Sequence, residues 1–140
     1  MTMSVRVDIV SAESEIFSGL AEMVFAPAEM GEVGIAPRHA PLITRLKAGE
    51  VRVKVDGKED YPFYISGGYL EVQPHLITVL ADTAIRAKDI DEAAALAAKT
   101  KAEEALADKS GKVDYAQAQT QLLQAISQLQ VIDRLRKRNN

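Results

Sequence analysis

The composition of this chain changes abruptly between residues 82 and 90, and any fold must accommodate that break. Upstream, short β-branched runs are punctuated by Gly, Pro and Asp; downstream come long stretches of Ala, Gln, Glu, Leu and Lys with no Pro and a single Gly. Strands followed by helix formers predict an α+β chain. The expected architecture is an N-terminal antiparallel β-sandwich over residues 1–86, then a C-terminal antiparallel two-helix hairpin over 87–140. At 140 residues there is room for a small domain and an appendage.

The strand signals are short and closely spaced. Val5, Val7 and Ile9 alternate with Arg6, Asp8 and Val10; residues 20–26 (LAEMVFA) run up to Pro27; Val51, Val53 and Val55 alternate with Arg52 and Lys54. That last run stops at Asp56-Gly57, a hairpin signal. Residues 61–65 end at Ser66-Gly67-Gly68, and residues 69–72 and 76–81 flank a tight reversal at Gln73-Pro74-His75. Each run is too short to be stable alone, so they must share two packed sheets.

Asp89 with Glu92 three residues on predicts a reciprocally capped helix start. Eight alanines between residues 93 and 107 make the helix intrinsically strong, and Ser110-Gly111 is the expected stop. Asp114 with Gln117 opens the second helix, whose apolar face carries Ala118, Leu122, Ala125, Ile126, Leu129 and Ile132. A connection of about three residues makes the helices antiparallel. An Ala-lined face buries little apolar area, so the hairpin is expected to dock only marginally and to serve as a movable arm.

Composition excludes several classes of function. Cysteine and Trp are absent and aromatics are only 5%, which removes disulfides, thiolate sites and a broad stacking surface. The first ten residues enter an alternating pattern without a basic and apolar leader, and no run approaches the roughly 20 apolar residues of a membrane span. The expectation is a soluble cytoplasmic product that meets a membrane only through partners. Charge is uneven: residues 1–84 carry 7 Lys and Arg against 12 Asp and Glu, and residues 85–140 carry 10 against 8. Arg134, Arg136, Lys137 and Arg138 crowd the C-terminal tip, more cations than a helix end uses, and point to an acidic partner. His39 and His75 have no metal-ligand or catalytic spacing, and Ser66 lacks any nucleophile-elbow or phosphate-loop context. No catalytic residue, metal site or cofactor is expected.

Three segments carry a resemblance: VSAE at 10–13 with IFSG at 16–19, GEVGIAPRHAPL at 31–42, and SGGYLEV at 66–72 running on to TVLADTA at 78–84. With the Ala-rich hairpin and the VDYAQA start of its second helix, the chain resembles the epsilon subunit of bacterial F-type ATP synthase over essentially its whole length. The resemblance implies a ten-stranded sandwich seated in the central stalk against the gamma subunit and the c-ring. It implies a hairpin that can extend along gamma to the catalytic beta subunits and inhibit ATP hydrolysis. The chain would then be a non-catalytic rotor subunit, peripheral on the cytoplasmic face of the bacterial membrane. Glu29, Glu32, Arg38 and His39 match the loop region facing the c-ring, and the cationic tip matches the part that meets an acidic beta-subunit segment.

Two departures from the family pattern stand out. Arg38 occupies a position where the family usually has Gly, and ordinary backbone dihedrals are expected there. Some relatives bind ATP through I/L-D-x-x-R-A at the start of the first helix. Here Ile90, Asp91 and Ala95 match, but Ala94 replaces the Arg, so ATP binding is expected to be weak or absent. On the residues alone two other classes stay open. One is a free-standing adaptor whose basic tip binds nucleic acid or an acidic protein; the other is an acid/base enzyme. The net charge of −3 and the lack of a basic sandwich face count against nucleic acid, and no acid/base constellation supports an enzyme.

Overall fold

The computed structural model describes residues 3–55 and 60–139. Ten strands come first: β1 (Val5–Ser11), β2 (Glu15–Ala21), β3 (Met23–Ala28), β4 (Gly31–Ile35), β5 (Leu42–Leu46), β6 (Gly49–Lys54), β7 (Tyr61–Ile65), β8 (Gly68–Gln73), β9 (Leu76–Ala81) and β10 (Ala84–Arg86). A 3-10 turn at Ala87–Asp89 leads to helices α1 (Glu92–Ala107) and α2 (Tyr115–Asn139). The fold is therefore the α+β sandwich and hairpin that the composition break predicts.

The strands hydrogen-bond in the order β10-β7-β6-β3-β5-β8-β9-β1-β2, with β4 attached to β3, and the sheet folds over to enclose its apolar face. Phe63, Ile9, Ile35, Ile65, Leu70 and Ile77 are fully buried there. The period-2 alternation delivers them: in β1, Val5, Val7 and Ile9 point inward while Arg6 is exposed. One pair departs from the antiparallel expectation. β1 and β9 run parallel, from Arg6 opposite Leu76 to Ser11 opposite Ala81. The Ser66-Gly67-Gly68 stop is required by packing, since a Cβ at Gly68 would fall 2.0 Å from the Leu80 carbonyl oxygen, at a φ of +143°.

Several local expectations are corrected. The run at residues 20–26 is not one strand: Glu22 breaks it, Ala21 closing β2 and Met23 opening β3, which continues through Pro27 to Ala28. Pro27 is tolerated because its carbonyl still accepts from the Lys47 amide, at 2.9 Å, and the ring needs no donor. The Asp56-Gly57 turn lies outside the described residues. Arg38 has φ +64°, so it adopts the left-handed region rather than ordinary dihedrals. Its amide donates to the Pro74 carbonyl at 3.0 Å, which fixes the turn against the β8–β9 connection.

The first helix starts two residues later than Asp89. The 3-10 turn closes with the Ile90 amide on the Ala87 carbonyl, Ile90 is extended, and Asp91 becomes the cap, its Oδ1 accepting from the Ala94 amide at 3.1 Å. Glu92 is thereby released from capping. The helix stops at Ala107 rather than at Ser110-Gly111, because Asp108 turns extended and its carboxylate accepts from the Ser110 amide at 2.7 Å. These hydrogen bonds from Ser110 hold the Asp108 carboxyl below its ordinary pKa. The connection thus runs from residue 108 to 114 instead of about three residues. Asp114 caps α2 as expected, accepting from the Gln117 amide at 3.1 Å.

Helix α1 packs along α2 through alanines two turns apart: Ala95 and Ala102 are buried on α1, and Ala118 and Ala125 on α2, followed by Ile132. Small side chains at this seam bring the backbones close. Helix α2 rests on the sandwich, against β6, β7 and the 3-10 turn. There Val131 meets Tyr64 and Ala87 in a separate small cluster, with Ile85, Ile90 and Leu135 at its margin.

Candidate functional site

The outer face of β6 and β7 becomes an interior wherever α2 covers it. Along β6, Val51 and Val53 turn into the sandwich core, so Glu50, Arg52 and Lys54 face outward. Glu50 is nevertheless 4% exposed. Its cross-strand neighbour Tyr64 on β7 is 2% exposed, under the same helix.

A carboxylate in that position needs cations, because an unpaired buried charge is strongly unfavourable. Arg138 supplies one. Its Nη2 donates to Oε1 and Oε2 of Glu50, at 2.7 and 2.8 Å. Arg134, one turn earlier on α2, brings Nη1 to 3.7 Å, and Arg52 on the sandwich brings Nε to 3.4 Å. Arg136 points away from Glu50 and grips the freed Glu92 with both terminal nitrogens, tying the end of α2 to the start of α1. The Glu92 pairing raises the Arg136 pKa. Lys137 pairs with Asp133 at 3.0 Å. All four tip cations therefore have acidic partners within the chain.

Arg52 extends the network toward the loop predicted to face the c-ring. It lies 4.3 Å over the Phe25 ring and contacts Glu32 at 3.3 Å and Asp60 at 3.4 Å. The fold thus links two of the predicted site groups, Glu32 and the cationic tip, through Arg52 and Glu50. Glu29 is separate, 3.9 Å from Arg45, whose other partner is Tyr69. His39 makes a local contact, Nδ1 to the Ala40 carbonyl at 2.7 Å. Exposed Arg38 stands in the neighbouring turn.

The ATP-motif positions have structural employment. Asp91 caps α1, Ala95 is buried in the helix seam, and Ile90 packs against the Tyr64 cluster. With Ala94 in place of the Arg, this segment offers no guanidinium at that position. Among the described residues no cluster of His, Asp or Glu could hold a metal ion, and no helix is long and apolar enough to cross a membrane. Beside the network a crevice of about 400 Å³ separates α2 from the β3–β4 and β5–β6 edges, lined by Lys47, Glu50, Ser127, Gln130 and Arg134 among others.

Sequence reasoning missed Glu50, Arg52, Tyr64 and Glu92. The available signal was residues 63–65, three consecutive buried positions in β7, since a strand apolar on both faces has something lying on each.

The chain is thus a two-part α+β protein, a β-sandwich whose outer face is strapped by an ion-paired helical hairpin. Family comparison agrees along the chain. Residues 4–87 match the ATP synthase delta/epsilon chain β-sandwich domain, and residues 88–133 match the long α-helix domain of that chain. The protein belongs to the ATP synthase delta/epsilon chain family. It is 69% identical over 139 residues to the ATP synthase epsilon chain of Nitrosococcus oceani, covering 99% of each. It is 63% identical to ATP synthase epsilon chain 1 of Methylococcus capsulatus, covering 98% of each. Its fold is shared with a chain of the Euglena gracilis mitochondrial ATP synthase, at TM-score 0.68 and 17% identity over 98% of this chain and 82% of that one. A chain from the Tetrahymena thermophila central stalk and c-ring gives 0.60 at 12% identity, over 94% and 98%.

Proposed function

We propose that the chain is a non-catalytic rotor subunit of an F-type ATP synthase central stalk, coupling proton-driven rotation to ATP synthesis. Its sandwich seats on the gamma subunit and the c-ring, with Glu29, Glu32, Arg38 and His39 toward the ring. The subunit is peripheral, on the cytoplasmic face of the bacterial membrane. Its hairpin leaves the sandwich to reach the catalytic beta subunits and inhibits ATP hydrolysis there. Family membership supports the stalk assignment.

The observation that carries the gating part is the internal commitment of the tip: Arg134 and Arg138 on Glu50, Arg136 on Glu92. The same guanidiniums can be exchanged from these carboxylates to acidic groups on a partner. Extension then follows only where gamma and beta bind the open form better than the docked one. Removing residues 133–140 should raise ATP hydrolysis by the assembled complex. An unchanged rate would remove the inhibitory role.

A further inference from the structure

We propose that Glu50 is the catch holding the hairpin on the sandwich, and that Tyr64, its cross-strand neighbour, is a built-in load working against it. This rests on the reading of the hairpin as a movable arm and assigns the residues that set its resting position.

The two residues lie side by side under one helix yet differ in how their polar atoms are satisfied. Glu50 draws Arg134 and Arg138 from α2, with Arg52 from its own strand. When α2 lifts, Glu50 and both guanidiniums regain water, so the pairs exist only in the docked form. The Tyr64 hydroxyl is buried and has no hydrogen-bond partner among the described residues. Docking therefore strips it of water without replacement, and lifting α2 restores its hydration. The apolar cluster that seals it is small, with only Val131 buried from α2. A carboxylate that favours closure and a phenol that favours opening thus act at one spot, and their difference sets the fraction of open hairpin.

The test uses the free full-length chain. Hydrogen exchange of α2 amides around Val131 reads opening, and exchange in β1 and β9 serves as the folding control. Glu50→Gln should raise exchange around Val131 roughly tenfold or more, since breaking a buried pair is strongly destabilising. Arg138→Gln, at a position one-third exposed, should act in the same direction without disturbing the sandwich. Tyr64→Phe should slow exchange about fivefold or more, because it removes the unpaired hydroxyl and keeps the ring. Unchanged exchange in both Glu50→Gln and Arg138→Gln overturns the catch, and faster exchange in Tyr64→Phe overturns the load. Hydrolysis by the complex separates this inference from the gating role. If Glu50→Gln opens the free hairpin while hydrolysis stays constant, the catch stands and the inhibitory arm fails.

Discussion

Arg138 donates to both carboxylate oxygens of Glu50 from 88 residues away in sequence, and the carboxylate is 1% exposed where they meet. The pair joins the final turns of the chain to the sheet. It makes the docked hairpin more than the marginal Ala-faced contact that composition predicts, because the attachment comes from ions at α2 rather than from alanines on α1.

Alkaline pH should loosen that attachment through Tyr64. Burial pushes its phenol from the ordinary value of 10.0 up to about 12. The folded form holds its proton more tightly, so this contribution is complete below pH 10 and is lost as pH rises from 10 to 12. Each unit of displacement corresponds to about 1.4 kcal/mol. Ultraviolet titration should show a tyrosine ionisation displaced above pH 10, and Tyr64→Phe should abolish that late step. A titration that Tyr64→Phe leaves unchanged above pH 10 would contradict the burial.

The helix seam should resist enlargement. Ala102 is 2% exposed, and Ala102→Leu should destabilise the hairpin by about 1–3 kcal/mol through overpacking. Exposed Ala97→Leu should be close to neutral. Thermal unfolding followed by helical circular dichroism checks the contrast, and equal effects would show that the seam is not close-packed.

Calorimetric titration with ATP should give no dissociation constant below the millimolar range. Asp91 is occupied as a cap, Ala95 is buried, and Ala94 offers no guanidinium to phosphate. Tight binding would mean that other cations hold the nucleotide.

Much of the architecture was legible because it depends on local chemistry. Alternation in β1 and β6, the Pro74-His75 reversal and the Asp114 cap are each decided by a few adjacent residues. The failures share a different origin. Asp89 and Glu92 form the better capping sequence, but the 3-10 turn displaces the cap to Asp91 and leaves Glu92 to Arg136. β4 and β10 are short, and their partners β3 and β7 are set by the closed sandwich rather than by their own composition. Glu50 reads as an outward strand residue and is buried only because a helix some 80 residues later lies over it. The predicted site residues at the tip were identified by charge, whereas their acidic partners inside the chain follow from tertiary packing alone.

The parallel pairing of β1 with β9 has a consequence for biogenesis. β2 is synthesised at once beside β1, but the other border of β1 finds its mate about 70 residues later. Until residue 81 has left the ribosome, the first hairpin carries an unpaired edge and half a core open to self-association. Completion of the barrel-like body is therefore a late event in translation, governed by non-local closure, and the helical arm emerges onto a sheet that has only just sealed.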